Sequence, residues 1–317
     1  MPLRAAIDIG TNSVLMLVAD VGSSAPTAIA ERCTITRLGE GVDKNQCFLD
    51  AAVERTLNCL RKYRAELESL GVSDLQAVAT SAARDAEGGE NFLDTAAAIL
   101  GVRPVIISGH QEAELTFAGA LVGLPISGSV CVFDVGGGST EIIFADTSQA
   151  APKIIDSFSL DIGSVRLTER FLKCDPPSAE EISQLRTEIR RELASHSVSA
   201  RVVTIIGVAG TVTTLAALDA GLDSYDAAVV HGHRVSRTAL ERWSKKLSAM
   251  TTATRSQLPG VPARRADVLA AGSWLVSEVL HWLTPNDSTA MLIASDRGVR
   301  WGLLCSPRTL LMSPPKR

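Results

Sequence analysis

The chain has 317 residues, of which 46% are hydrophobic and 21% charged, with a formal net charge of -4. This length suggests about two domains, and this apolar content excludes an intrinsically disordered chain. The acidic balance argues against a general grip on nucleic acid, although a local basic groove for a polyanion stays open. "MPLRAAIDIG" is interrupted by Asp8 and does not read as a signal peptide, and no apolar run of about 18 residues predicts a membrane span. Six cysteines without a C-x-x-C pair predict reduced thiols in a cytoplasmic protein and no zinc site.

In chain order, residues 5–20, "AAIDIGTNSVLMLVAD", predict strand, polar turn and strand. Leu49, Val53, Leu57, Leu60, Leu67 and Leu70 recur at helical spacing up to Gly71. "LQAVATSAAR" predicts a strand ending in a polar turn, "NFLDTAAAILG" a helix and "RPVIIS" a strand. Ser108 and Gln111 fit a capping box that opens the next helix. After the turn-rich "LPISGS" comes "VCVFDVGGGSTEIIFAD", strand, glycine turn and strand. A strand in "KIIDSFSLDIG" precedes a second capping box, Ser178 with Glu181, and a helix through Ile182, Leu185, Ile189 and Leu193. "VVTIIGVAGTVTTLAAL" predicts strand, glycine turn and helix; helices follow around Leu240–Leu247 and Val268–Leu283, then a strand in "STAMLIASDRG". The tail "SPPKR" is expected to fray. Strands alternating with helices predict α/β layers with mixed sheets.

"IDIGTNSVLMLVAD" and "FDVGGGSTEIIFAD" share one plan: Asp, apolar residue, Gly, small polar turn, apolar strand, Ala-Asp. Two similar domains are therefore expected, 1–125 and 126–317, with the last helix packing back on the first. A glycine-rich turn can direct several backbone N–H groups into one concavity and bind an anion. A carboxylate beside such a turn repels phosphate unless a cation lies between them, and Mg²⁺ favours a few carboxylates plus substrate oxygens. Asp8, Asp134 and Glu141 are candidate metal ligands; the same acids could instead only hydrogen-bond the turn backbone.

These hairpins, with "ATSAARDAEGGENFL", "ISGHQEAELTFAGA", "DIGSVRLTERF", "GVAGTVTTLAAL", "YDAAVVHGHRV", "RADVLAAGSWL" and "SDRGVRWGLL", resemble the exopolyphosphatase / guanosine pentaphosphate phosphohydrolase family of the actin-like ATPase superfamily. The resemblance covers nearly the whole chain. It implies two ribonuclease-H-like domains with mixed sheets flanked by helices, a cleft between them, and Mg²⁺ or Mn²⁺. It implies removal of terminal phosphate from inorganic polyphosphate, with guanosine pentaphosphate as the alternative substrate; an actin-like ATPase or kinase and a non-catalytic phosphate sensor are the remaining alternatives. It places the catalytic base at Glu112, which the residues alone would read as a surface acid complementing a helix dipole. It implies phosphate contacts from Arg84, from Thr11, Asn12 and Ser13, from Gly136, Gly137, Gly138, Ser139 and Thr140, and from a third turn at Gly210 and Thr211. A homodimer is expected, with no nucleic-acid or membrane partner.

Four positions depart from the family pattern. Leu15 stands where many members carry an Arg associated with the pentaphosphate type of site, Ala209 stands where Gly is usual, and His110-Gln111 replace acidic residues. The "HGH" of His231 and His233 invites a metal reading, but no third ligand is evident. Arg264-Arg265 read as a solvated helix start or a cleft-facing pair.

Overall fold

A strand rich in Ala and Ile, Leu3–Ile9 (β1), forms the centre of the first of two sheets. The structure, a computed structural model, describes residues 2–22, 26–149, 151–198 and 203–306; the tail 313–317 lies outside them. By internal contacts the chain forms two units, one running to Gly119 and resuming at Val299, the other comprising Ala120–Gly298.

In the first unit β1 is joined by Ser13–Asp20 (β2), Thr27–Ile35 (β3), Asp74–Ala79 (β4) and Val105–Ile106 (β5), in the order β3-β2-β1-β4-β5. β1–β2 and β2–β3 are antiparallel, whereas β1–β4 and β4–β5 are parallel. Successive side chains of a strand alternate between faces. Ala5, Ile7 and Ile9 accordingly face a core built with Leu57, Leu60 and Leu67 of helix Asp50–Ser69 and with Phe92, Leu93 and Ala96 of helix Gly89–Leu100. Asp8 falls on the opposite face. The helix Val299–Cys305 packs against β1 and β2.

In the second unit Ser129–Val135 (β6), Thr140–Asp146 (β7), Lys153–Leu160 (β8), Thr204–Val208 (β9), Arg234–Ser236 (β10) and Met291–Ala294 (β11) form a sheet ordered β10-β11-β9-β6-β7-β8. Cys131, Phe133 and Val135 point into a core with Leu185, Ile189 and Leu193 of helix Ala179–Ala194 and Leu275, Val279 and Leu280 of helix Leu269–Leu283. Full burial of a side chain such as Phe133 contributes about 2–3 kcal/mol. The run β6-β7-β8-β9 repeats the pairing and directions of β1-β2-β3-β4. The expected α/β class with mixed sheets is thus present in both units.

Two of the elements that were not predicted follow the hairpins in sequence. β3 is an edge strand whose side chains are largely exposed, so Glu31 and Arg32 break its alternation. The helix Ser164–Phe171 is only 8 residues long and has no side-chain cap. The predicted strand in "RPVIIS" shrinks to 2 residues after Pro104, which cannot donate to a ladder.

Candidate functional site

Each unit's sheet carries the same hairpin. β1 ends at Ile9, and Gly10 N–H closes the turn on Ser13 O at 2.9 Å; β6 ends at Val135, and Gly136 N–H closes on Ser139 O at 3.1 Å. Asp8 opposes Leu15 and Asp134 opposes Glu141 in the two registers, so Leu15 and Glu141 are equivalent positions. The duplication is therefore structural as well as textual, but only the second unit places a second carboxylate across from its aspartate.

The carbonyls of both turns are taken up from behind. Gly136 O accepts from Ser164 N–H at 2.9 Å, and Gly137 O from Val165 N–H at 2.9 Å and Arg166 N–H at 3.1 Å. Gly138 O accepts from Arg166 Nε at 2.8 Å. In a planar trans peptide the C=O and the following N–H point in opposite directions. The N–H groups of Gly137, Gly138 and Ser139 are thereby turned away from helix Ser164–Phe171, as an anion-binding concavity requires. Gly163 permits this approach, since a Cβ there would lie 2.4 Å from Gly137 C and O.

The first turn repeats the device. Thr11 O accepts from Gly39 N–H at 2.8 Å, and Asn12 O from Thr36 at 3.0 Å and Arg37 at 2.9 Å. The N–H groups of Asn12 and Ser13 are turned away from that loop. A Cβ on Gly39 would lie 2.3 Å from Thr11 Cγ2. Arg55 braces the loop through Thr36 O at 2.9 Å and Glu40 Oε2 at 2.6 Å. Asn12 Oδ1 is buried without a hydrogen-bond partner among the described residues.

Glu112 lies in the first turn of helix Gly109–Ala120, opened by the predicted capping box: Gln111 N–H donates to Ser108 Oγ at 3.2 Å and Ser108 N–H to Gln111 Oε1 at 3.0 Å. Its side chain is not the exposed acid that helix position alone suggests; it is 10% exposed. Arg84 Nη1 donates to Glu112 Oε2 at 2.6 Å and to Ile107 O at 2.8 Å. Burial pushes the Glu112 carboxyl above its ordinary value, while Arg84 and a hydrogen bond from Thr80 pull it down less strongly. Thr80 ties this group to the first turn, because its N–H donates to Ile9 O at 3.2 Å, one residue before Gly10.

Asp134 and Glu141 sit on one face at directly paired positions, with exposures of 9% and 1%. Ser159 Oγ donates to Glu141 Oε1 at 2.8 Å. Two adjacent buried carboxylates suit a hard cation bound through oxygen. A Cβ on Gly298 would crowd Val208 Cγ1 at 3.0 Å and lie in ordinary contact with Asp134 Oδ2 at 3.9 Å. Among the described residues no group of three or more His, Cys, Asp or Glu is gathered closely enough to hold a metal ion. Asp8 lies in the first unit and the other two acids in the second.

The third turn differs. Arg265 is buried, donates to Gly210 O at 2.7 Å, and its guanidinium lies 2.1–2.2 Å from where a Gly210 Cβ would stand. Arg265 is thus not a solvated helix start. Ala209 holds the left-handed conformation at φ 71°, the region a glycine adopts without cost. Thr211 is buried, and Gly272 leaves room for it and Ser164 to pack together. His231 and His233 do not share a site: His231 faces Val122 O and Asp296, and His233 faces Asp219 at 3.3 Å. Sequence reasoning missed Thr80, Gly39, Gly163 and Arg166; Thr80 in "ATSAARDAEGGENFL" and Gly163 and Arg166 in "DIGSVRLTERF" lay in segments already singled out, whereas Gly39 did not.

A profile of the Ppx/GppA phosphatase family matches residues 17–309. The chain belongs to this family. Exopolyphosphatase 2 of Mycobacterium tuberculosis is 37% identical over 315 residues, covering 95% of this chain and 97% of the relative. Among solved structures, an exopolyphosphatase-like protein is similar at 35% identity and TM-score 0.89, covering 96% of each chain. A Ppx/GppA family member of Aquifex aeolicus is similar at 34% identity and TM-score 0.79, covering 96% of this chain and 97% of that one. An exopolyphosphatase from Cytophaga hutchinsonii is similar at 26% identity and TM-score 0.86, covering 98% of each. The two helix-flanked mixed sheets are the fold of these Ppx/GppA structures, with two actin-like domains.

All six cysteines are free thiols, and no described helix is long and apolar enough to cross a membrane.

Proposed function

We propose that this Ppx/GppA protein is an exopolyphosphatase, releasing terminal orthophosphate from inorganic polyphosphate. The observation that carries this reading is the pair of turns with carbonyls bound from behind and N–H groups turned outward, one in each unit. Polyphosphate offers repeating phosphoryl oxygens, which match N–H concavities. Relatives named exopolyphosphatase at 37% identity support the same substrate class.

In this reading Glu112, as the carboxylate, takes a proton from water. The water oxygen bonds to the terminal phosphorus, the bridging P–O bond breaks, and the chain leaves one phosphate shorter. A base whose affinity for protons is raised by burial removes that proton more readily than an ordinary carboxylate. Arg84 holds Glu112 in place. Asn12, Ser13, Gly137, Gly138 and Ser139 supply backbone N–H groups for phosphoryl oxygens, with Thr11 and Thr140 at the turn ends. For phosphoryl transfer, positioning and electrostatics carry most of the acceleration. Asp134 and Glu141 would hold a Mg²⁺ or Mn²⁺ ion, with Asp8 as the acid of the first turn. The ion would offset phosphate charge and that of the leaving oxygen. We place the protein in the cytoplasm as a homodimer.

The guanosine pentaphosphate alternative uses the same groups, but Leu15, opposite Asp8, offers no charge to a second phosphate arm. An ATPase or kinase would need open space at Gly210, where Arg265 lies. The test is orthophosphate release from polyphosphate, guanosine pentaphosphate and ATP, each with Mg²⁺ and with chelator, using Glu112→Gln as control. Polyphosphate is expected to be the preferred substrate. Full activity of Glu112→Gln on polyphosphate would overturn the mechanism, and turnover of ATP alone would overturn the substrate.

A further inference from the structure

The "HGH" histidines, set aside as a metal site, lead to a different role for His231. The helix carrying Glu112 ends at Ala120, and its last carbonyls lack intrahelical partners. Three side chains take up the carbonyls at and just beyond this end. Ser295 Oγ donates to Ala120 O at 3.1 Å, His231 Nε2 to Val122 O at 3.1 Å, and Arg297 Nη1 to Val122 O at 2.9 Å. His231 Nδ1 faces Asp296 Oδ1 at 3.1 Å, so each ring nitrogen meets an acceptor. The cluster is enclosed, with Asp296 and His231 side chains 7% and 12% exposed. Gly123 makes room for it: its φ is 79°, and a Cβ there would lie 2.8 Å from Arg297 Nη1. A cationic group such as the Arg297 guanidinium at a helix C-terminus also complements its dipole.

The chain leaves the first unit after Gly119 and returns to it at Val299. Residues beside both passages, Ala120 and Val122 on one side and Ser295 to Arg297 on the other, are bonded together here. We infer that His231 and Arg297 are positioning residues for Glu112, fixing the far end of the helix that carries it. The inference rests on the reading of Glu112 as the base. Eight residues of helix separate Glu112 from Ala120, about 12 Å at 1.5 Å per residue, so a tilt of about 5° displaces the carboxylate by about 1 Å. A displacement of that size costs on the order of 100-fold in rate.

The test compares His231→Gln, His231→Asn, His231→Ala and Arg297→Met. Glutamine can restore a donor near the Nε2 position facing Val122 O, whereas asparagine reaches only the Nδ1 position facing Asp296. His231→Ala and Arg297→Met are expected to lose roughly 10- to 100-fold in kcat on polyphosphate with KM within about threefold. They are also expected to lose hydrogen-exchange protection at the amides of residues 116–124. His231→Gln should recover both readouts and His231→Asn neither. Unchanged kcat and protection in His231→Ala, or equal rescue by Asn, would overturn the proposal. Exchange protection needs no catalysis, so an active Glu112→Gln enzyme would sink the reading of the base while the clamp is judged on the amides alone.

Discussion

Arg84 Nη1 donates to Glu112 Oε2 at 2.6 Å, joining residues 28 positions apart. The pair sets two opposing pulls on one carboxyl: burial raises its proton affinity and the guanidinium lowers it, with burial the stronger. The arginine expected to touch phosphate thus bonds the Glu112 carboxyl.

Glu112→Gln should lower orthophosphate release by about 10²- to 10⁴-fold, the usual contribution of a general base. Steady-state assays on polyphosphate, with circular dichroism to show an intact fold, check this.

If Glu112 is the base we propose, the acid limb of kcat/KM should lie above the ordinary glutamate range, because the carboxyl then acts ionised and its folded-state affinity for the proton is raised. Arg84→Met removes the group that favours the carboxylate, so the limb should move to higher pH. Stability follows the same sign. A carboxyl raised on folding contributes stability below its unfolded value and loses it as pH rises through the folded value. Glu112→Gln should therefore gain stability relative to the parent as pH rises through that window, measured by urea melts.

Gly163→Ala should destabilise the second unit by about 1–3 kcal/mol, as overpacking against a fixed backbone does. Its Cβ would meet Gly137 C and O at 2.4 Å, and no side chain can move aside. Gly39→Ala meets mainly the Thr11 side chain, at 2.3 Å, so adding Thr11→Ala should recover most of its loss. Denaturant melts of the two single variants and the double variant decide it.

The capping box of helix Ala179–Ala194 should fail in acid. Hydrogen bonds from the Ser178 and Lys173 backbone N–H groups hold Glu181 at about 2. A carboxyl lowered on folding contributes stability above its unfolded value and loses it as pH falls through the folded one. The advantage of the parent over Glu181→Ala in thermal melts should be constant above about pH 5 and shrink steadily towards pH 2.

Both capping boxes, both hairpins and the helices of the two cores were legible in the sequence, because local spacing decides them. Ser178 and Glu181 are three residues apart, and Asp134 and Glu141 flank one turn. β3 and helix Ser164–Phe171 were not legible, because edge exposure and short length erase periodicity.

The sequence by itself determined that two Asp-Gly hairpins exist and that Glu112 opens a helix, since these depend on neighbours along the chain. Only the tertiary structure decided what those residues meet. It buried Glu112 and set Arg84 and Thr80 on it, turned the carbonyls of Gly136 and Gly137 onto helix Ser164–Phe171, and laid Arg265 across Gly210. Each is a contact between distant segments, and its chemistry comes from desolvation and from the direction of peptide dipoles. Both are properties of packing, and no local spacing encodes them.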